Sequence, residues 1–262
     1  MTPPRTLRVA LGEYDIGWHD PASSLDRAAG IVDDAAARGA RLVVMPEMCT
    51  SGFTMNLDFA ESLEGEQVNR LKSIARSSAV WLVAGVPTRA DDDGAERVAR
   101  NSALVIDPAG TIVSIYHKQR LFAYADEQRS YRTGDAPVTV DIEGVRVSPF
   151  ICYDLRFPEL FRHVAPQTDL VLVIASWPAA RRTHWDVLLR ARAIENQCYV
   201  IGVNRVGEGG SLAYDGGSVA FDPWGTTVER SFEGVAGIGI VQVQPAEVER
   251  IRAAYPFLAD CH

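Results

Sequence analysis

The chain has 262 residues, 47% of them hydrophobic and 23% charged, and its 34 acidic against 26 basic side chains leave a formal charge of −8. That acidic excess, with no basic run longer than the pair Arg181-Arg182, argues against nucleic acid or an anionic membrane surface as partner. Four scattered cysteines, Cys49, Cys152, Cys198 and Cys261, form no C-x-x-C pair, so no disulfide scaffold is expected and a reducing cytoplasm is the default compartment.

The N-terminal residues lead into a strand-like segment without the apolar core of a signal peptide, and the apolar stretch Leu170 to Ala175 is far short of the ~20 residues of a membrane helix. A strand at Leu7 to Leu11 is followed by a helix with Leu25, Ala28, Ala29, Val32, Ala35 and Ala36 at helical spacing, which Gly39 stops. Leu42 to Met45 is a short apolar strand. A helix with Val68, Leu71, Ile74 and Ala75 on one face and a strand at Val80 to Ala84 complete a βαβ alternation. Asn101 to Ile106 and Thr111 to Tyr116 flank the turn Asp107-Pro108-Ala109-Gly110 and read as a hairpin.

The second half repeats this plan. A hairpin at Val138 to Ile142 and Val145 to Ile151 leads to a helix from about Phe157, a buried strand at Leu170 to Ala175, a helix at Asp186 to Asn196 and a strand at Tyr199 to Val203. The turn Asp222-Pro223-Trp224-Gly225 copies the residue types of the first, while the glycine-rich stretch around Ser211 and Ser218 reads as a flexible connection. Two similar halves with few helices predict an α/β fold, a four-layer αββα sandwich of two mixed β-sheets with helices outside. The acidic loop Asp91-Asp92-Asp93-Gly94 is not a linker, so residues 1–262 are expected to form a single domain.

Three reactive side chains fall just past predicted strand ends: Glu47, Lys118 and Cys152. Each alone is unremarkable; together they supply a thiol nucleophile, a base to take its proton and a cation for thiolate and oxyanion. His117 and His184 suggest a cysteine–histidine pair, but His117 and Lys118, as strand neighbours, would point to opposite faces. No H-x-x-x-H pair or phosphate-binding loop is present, so neither a metal nor a cofactor is expected.

The segments Met45-Pro46-Glu47-Met48, His117-Lys118-Gln119-Arg120-Leu121-Phe122 and Cys152-Tyr153-Asp154-Leu155-Arg156-Phe157-Pro158-Glu159 resemble the nitrilase (carbon-nitrogen hydrolase) superfamily, as do Ser176-Trp177-Pro178, His184-Trp185 and Arg190 to Gln197. The resemblance implies that Cys152 attacks an amide or nitrile carbon, Glu47 is the general base, and Lys118 with the backbone N–H of Tyr153 holds the oxyanion. Glu127 resembles an additional glutamate that positions the lysine. The wording of these motifs is most similar to ω-amidases, which hydrolyse the terminal amide of 2-oxoglutaramate or 2-oxosuccinamate. Such a substrate needs a cation for its far carboxylate, from among Arg156, Arg181 and Arg182, and pocket walls from Phe122, Tyr124 and Trp177. Another amidase of the superfamily, acting on an aliphatic amide, a nitrile or an N-carbamoyl compound, stays open, as does a non-catalytic interaction protein. The resemblance also implies a homodimer joined through the helices after Cys152 and around Arg190 to Gln197.

Overall fold

The structure, a computed structural model, describes residues 5–89, 99–231 and 234–260; the Asp91-Asp92-Asp93-Gly94 run and Cys261 lie outside them. The first half runs β1 (Leu7–Glu13), α1 (Pro21–Ala37), β2 (Leu42–Val44), α2 (Glu66–Ser77), β3 (Trp81–Arg89), β4 (Ala99–Ile106), β5 (Ile112–His117) and the single turn α3 (Glu127–Ser130). The second runs β6 (Val140–Ile142), β7 (Val145–Ile151), α4 (Pro158–Val164), β8 (Leu170–Ile174), α5 (Arg182–Asn196), β9 (Tyr199–Val203), β10 (Val206–Gly209), β11 (Leu212–Asp215), β12 (Val219–Phe221), β13 (Thr227–Arg230), β14 (Gly237–Val243) and α6 (Pro245–Ala254).

Two six-stranded sheets have the orders β14-β1-β2-β3-β4-β5 and β13-β12-β9-β8-β7-β6. Each has three parallel central strands, β1, β2 and β3 in one and β7, β8 and β9 in the other, flanked by antiparallel strands. Side-chain alternation along each strand explains the layering. Val44 and Val83 face the second sheet's Val147, Leu172 and Ile174, while Val43, Leu82 and Ala84 face the buried Leu25, Val32, Val68 and Leu71 of α1 and α2. On the far side, Trp185, Leu189 and Ala193 of α5 cover the second sheet. The fold is therefore the mixed α/β sandwich that the sequence pattern predicts.

The two Asp-Pro turns are built alike: Asp107 Oδ1 accepts from the backbone N–H of Ala109 and Thr111, and Asp222 Oδ1 from those of Trp224 and Thr226. Three features differ from expectation. β3 continues through Pro87 to Arg89: the ladder to β2 ends at Val83, and beyond it the N–H groups of Gly85 and Arg89, on either side of the proline, donate to Pro46 O and Glu61 O. The glycine-rich stretch is not a flexible connection: it folds as the β10–β11 hairpin. The edge strand β14 and helix α6 carry too little periodic signal to be read beforehand.

Phe150 lies between Tyr116 of the first sheet, 5.5 Å between ring centroids, and Phe161 of α4, at 4.2 Å. It ties three layers together. Phe150→Ala is expected to cost about 3–5 kcal/mol, read as a lowered denaturant midpoint; an unchanged midpoint would contradict this core assignment.

Candidate active site

Glu47 follows β2, Lys118 follows β5 and Cys152 follows β7, so two of the three come from one sheet and the third from the other. They meet where the carboxyl ends of the strands converge. Close backbone approach delivers Glu47: the N–H of Gly85 donates to Pro46 O, the N–H of Cys49 donates to Gly85 O, and a Cβ on Gly85 would lie 2.7 Å from Glu47 Cα. Lys118 is fixed on both sides, its N–H donating to Asn101 O and its carbonyl accepting from Gly134 N–H. Cys152 has φ +46°, a left-handed conformation that costs a non-glycine residue about 1–2 kcal/mol. Asp154 holds this bend: its buried carboxylate accepts from the N–H of Ile151 (3.0 Å), the N–H of Arg120 (2.8 Å) and the hydroxyl of Tyr116 (2.8 Å). One side chain thereby joins the nucleophile turn to both flanks of Lys118. Burial pushes the Asp154 carboxyl up to about 6 despite these three donors.

Lys118 is fully buried, its Nζ donating to Glu47 Oε1 at 2.9 Å and to both oxygens of Glu127 at 3.1 and 3.0 Å. Asn101 Nδ2 donates to the same two carboxylates, at 2.8 Å to Glu47 and 3.0 Å to Glu127. Backbone N–H groups complete the shell: Ser176 donates to Glu47 at 2.9 Å and Phe122 to Glu127 at 2.6 Å. Burial opposes the ammonium, but Glu127 and Glu47 outweigh it and hold Lys118 above the usual lysine range. The Cys152 thiol is pushed well above its ordinary value, first by burial and then by the Glu47 carboxylate, against which Lys118 pulls in vain. Burial and the Glu47 carboxylate thus disfavour the thiolate at rest, and Lys118 acts in the opposite sense.

Cys152 and Lys118 open into a cavity of about 320 Å³. Phe122, Tyr124, Tyr153, Trp177, Arg156 and Arg181 all line it, so the structure brings every sequence-derived pocket candidate but Arg182 to one place. Tyr124 stands at the rim, 89% exposed, rather than in the wall. Arg182 turns away and pairs with Asp186 and Asp215. Arg181 lies over the Phe122 ring and Arg156 over that of Trp177, where it also meets His184. His117 points away to Ser102. Cys49 and Cys198 are buried, and burial pushes each thiol up to about 12. Among the described residues no group of three or more His, Cys, Asp or Glu side chains could hold a metal ion. Asn101, Asp154, Trp18, Thr54 and the β10–β11 hairpin, all of them in or beside the site, were not assigned from sequence; of these only Asp154 sits in a recognisable motif.

The raised thiol has a readable consequence, because alkylation follows the thiolate fraction. Inactivation by iodoacetamide, mapped to Cys152, is expected to climb steadily from pH 7 to 9, by up to about tenfold per pH unit. A plateau reached below pH 8 would mean that Lys118 does hold a thiolate.

With this geometry in place, comparison with known proteins is direct. The sequence profile described as carbon-nitrogen hydrolase matches residues 8–253. The Escherichia coli ω-amidase YafV is 36% identical over 223 residues, covering 85% of this chain and 84% of its own. The Bacillus subtilis 2-oxoglutaramate amidase is 32% identical over 254 residues, covering 95% of each. A crystal structure of a CN-hydrolase superfamily protein from Xanthomonas campestris, with an arsenic adduct in its active site, superposes with a TM-score of 0.90 at 33% identity, covering 98% of this chain and 97% of that one. With a profile spanning nearly its whole length and relatives this similar, the chain belongs to the carbon-nitrogen hydrolase family.

Proposed function

We propose that the protein is an ω-amidase, releasing ammonia from the terminal amide of a small 2-oxo dicarboxylate monoamide through a thioester on Cys152. The observation that carries this reading is the buried Lys118 held between Glu47 and Glu127 at the base of a small cavity into which Cys152 opens. The relatives named for ω-amides supply the substrate class.

In the proposed reaction Glu47 takes the thiol proton as Cys152 Sγ attacks the amide carbon, a coupling that suits a thiol raised above its ordinary value. The oxyanion forms beside Lys118 Nζ and the N–H of Tyr153. Glu47 then passes its proton to the amide nitrogen, the carbon–nitrogen bond breaks and ammonia leaves. Water attacks the thioester with Glu47 again as base, the carboxylic acid departs and the thiol is restored. Glu127 acts through Lys118: two oxygens on one ammonium fix its position and keep it charged. The chemistry needs no metal or cofactor.

Arg181 and Arg156 are the groups proposed to receive the far carboxylate, since both line the cavity and among the described residues neither pairs with a carboxylate. A cavity of about 320 Å³ sits at the small end of the ~300–1,000 Å³ usual for ligand pockets, which suits a five-carbon acid. The whole chain is proposed to act as one domain in the cytoplasm, where its thiols stay reduced. It is further proposed to pair with a second copy through the exposed Val187 (61%), Ile194 (51%), Trp224 and Phe257.

Three measurements test these readings. Cys152→Ala should be folded by circular dichroism and release no ammonia from 2-oxoglutaramate, whereas Arg181→Ala should raise KM about tenfold to a hundredfold, the worth of one charged hydrogen bond, with kcat little changed. An active Cys152→Ala chain, or an Arg181→Ala chain with unaltered KM, contradicts the respective assignment. Sedimentation at tens of micromolar should give a dimer, and a clean monomer would refute the pairing.

A further inference from the structure

Arg205 is a fully buried arginine that the proposed chemistry does not use. It lies between β9 and β10, and one of its nitrogens, Nη2, donates to Asp15 Oδ1 (3.0 Å), Ile16 O (2.8 Å) and Glu208 O (2.9 Å). Its Nε donates to Val206 O at 3.2 Å, and its guanidinium lies 4.6 Å from the Tyr214 ring centroid. Two pieces of chain far apart in sequence are thereby clamped together: the loop after β1 and the β10–β11 hairpin. The backbone bridge between Asp15 and Val206 continues the same join. Four residues of that hairpin, Gly209, Gly210, Leu212 and Tyr214, line the cavity, as does Trp18 from the opposing loop.

The glycines of the hairpin are explained by Trp18. A Cβ on Gly210, which has φ +56°, would lie 2.9 Å from Trp18 Cη2; one on Gly209 would lie 3.0 Å from Trp18 Cε3, and one on Gly52 2.9 Å from the same carbon. The indole therefore beds directly against three glycines. Its other neighbour is His19, stacked at 4.4 Å, which in turn meets the hydroxyl of Thr54, another cavity residue. Such close bedding against glycine backbone leaves the indole no room to shift towards the hairpin.

We propose that Trp18 and the β10–β11 hairpin, locked by Arg205, form the wall that limits substrate length, with Arg205 as its positioning residue. The proposal rests on the ω-amidase reading for the identity of the substrate, though not for the existence of the wall. An aromatic stop lining the same cavity as Cys152 discriminates by the space it denies; a single methylene in such a pocket is typically worth about 10- to 200-fold.

The test compares wild type with Trp18→Ala, Gly210→Ala and Arg205→Lys on the amides of four-, five- and six-carbon dicarboxylates, measuring kcat and KM. Gly210 is exposed, so its variant keeps the fold even if the Arg205 variant does not. Each folded variant should raise KM for the five-carbon amide about tenfold with kcat within about threefold, and improve kcat/KM for the six-carbon amide relative to it by a similar factor. Folded variants with an unchanged length preference, or with kcat lost and KM unchanged, overturn the proposal. Access is read separately, without substrate, as the ratio of Cys152 alkylation by N-phenyl-iodoacetamide to that by iodoacetamide. That ratio should rise several-fold in Trp18→Ala, and an unchanged ratio refutes the wall. A wild type inert to every amide but showing this shift refutes the ω-amidase reading and leaves the wall supported.

Discussion

One buried cation organises this molecule. Lys118 has no exposed surface, and its charge is met by two carboxylates that are themselves fully buried. Such a cluster is costly to desolvate and holds together only when each charge is paired and hydrogen-bonded, whereas removing one partner from a buried pair typically costs about 3–5 kcal/mol. The surrounding structure meets that demand. Asn101 bridges both carboxylates, and the N–H groups of Ser176 and Phe122 complete them, so donors from β4, from the end of β8 and from the loop after β5 are all committed to one site. The two sheets therefore converge at this end in a fixed relation, and the reactive sulfur is set against the cluster.

The nucleophile turn and the cluster are coupled through a further buried acid. Asp154 bonds on one side to the residue before Cys152 and on the other to residues two before and two after Lys118. In the proposed reaction that distance matters, because attack and oxyanion stabilisation must occur at the same carbon. In that reaction the raised thiol suits deprotonation by Glu47 as attack proceeds. A resting thiolate beside two carboxylates would be repelled; a neutral thiol is not. This arrangement also separates Cys152, which opens to the cavity, from Cys49 and Cys198, which are fully buried and have no lysine beside them.

Much of this was legible in the chain itself. The apolar periodicity of α1 and α2, the uninterrupted β8 and the twin Asp-Pro turns reflect local rules, and the strand-end positions of Glu47, Lys118 and Cys152 follow from them. What escaped was set by contacts between distant segments. Asn101 looks like an ordinary strand residue, and only the fold reveals two carboxylates, 54 and 26 residues away, on its one amide nitrogen. The glycines at 209 and 210 read as slack chain because their reason, the Trp18 indole, lies about 190 residues earlier. Arg205 has no local signal of its role either: its partners Asp15 and Ile16 lie about 190 residues earlier, and the fold buries it completely. Arg182 was grouped with its neighbours in sequence, and the start of α5 turned it the other way, towards Asp186 and Asp215.

The pocket combines these parts: a charged floor, aromatic sides and two arginines free of carboxylate partners among the described residues, closed by a hairpin that glycine allows to come near. Its central claim concerns covalent chemistry at a single sulfur. Rapid acid quench of the wild-type chain during turnover of 2-oxoglutaramate, followed by peptide mass mapping, tests that claim most directly. The account predicts a 2-oxoglutaryl thioester on Cys152, while turnover with no acylated cysteine, or with the acyl group on Cys49 or Cys198, would contradict it.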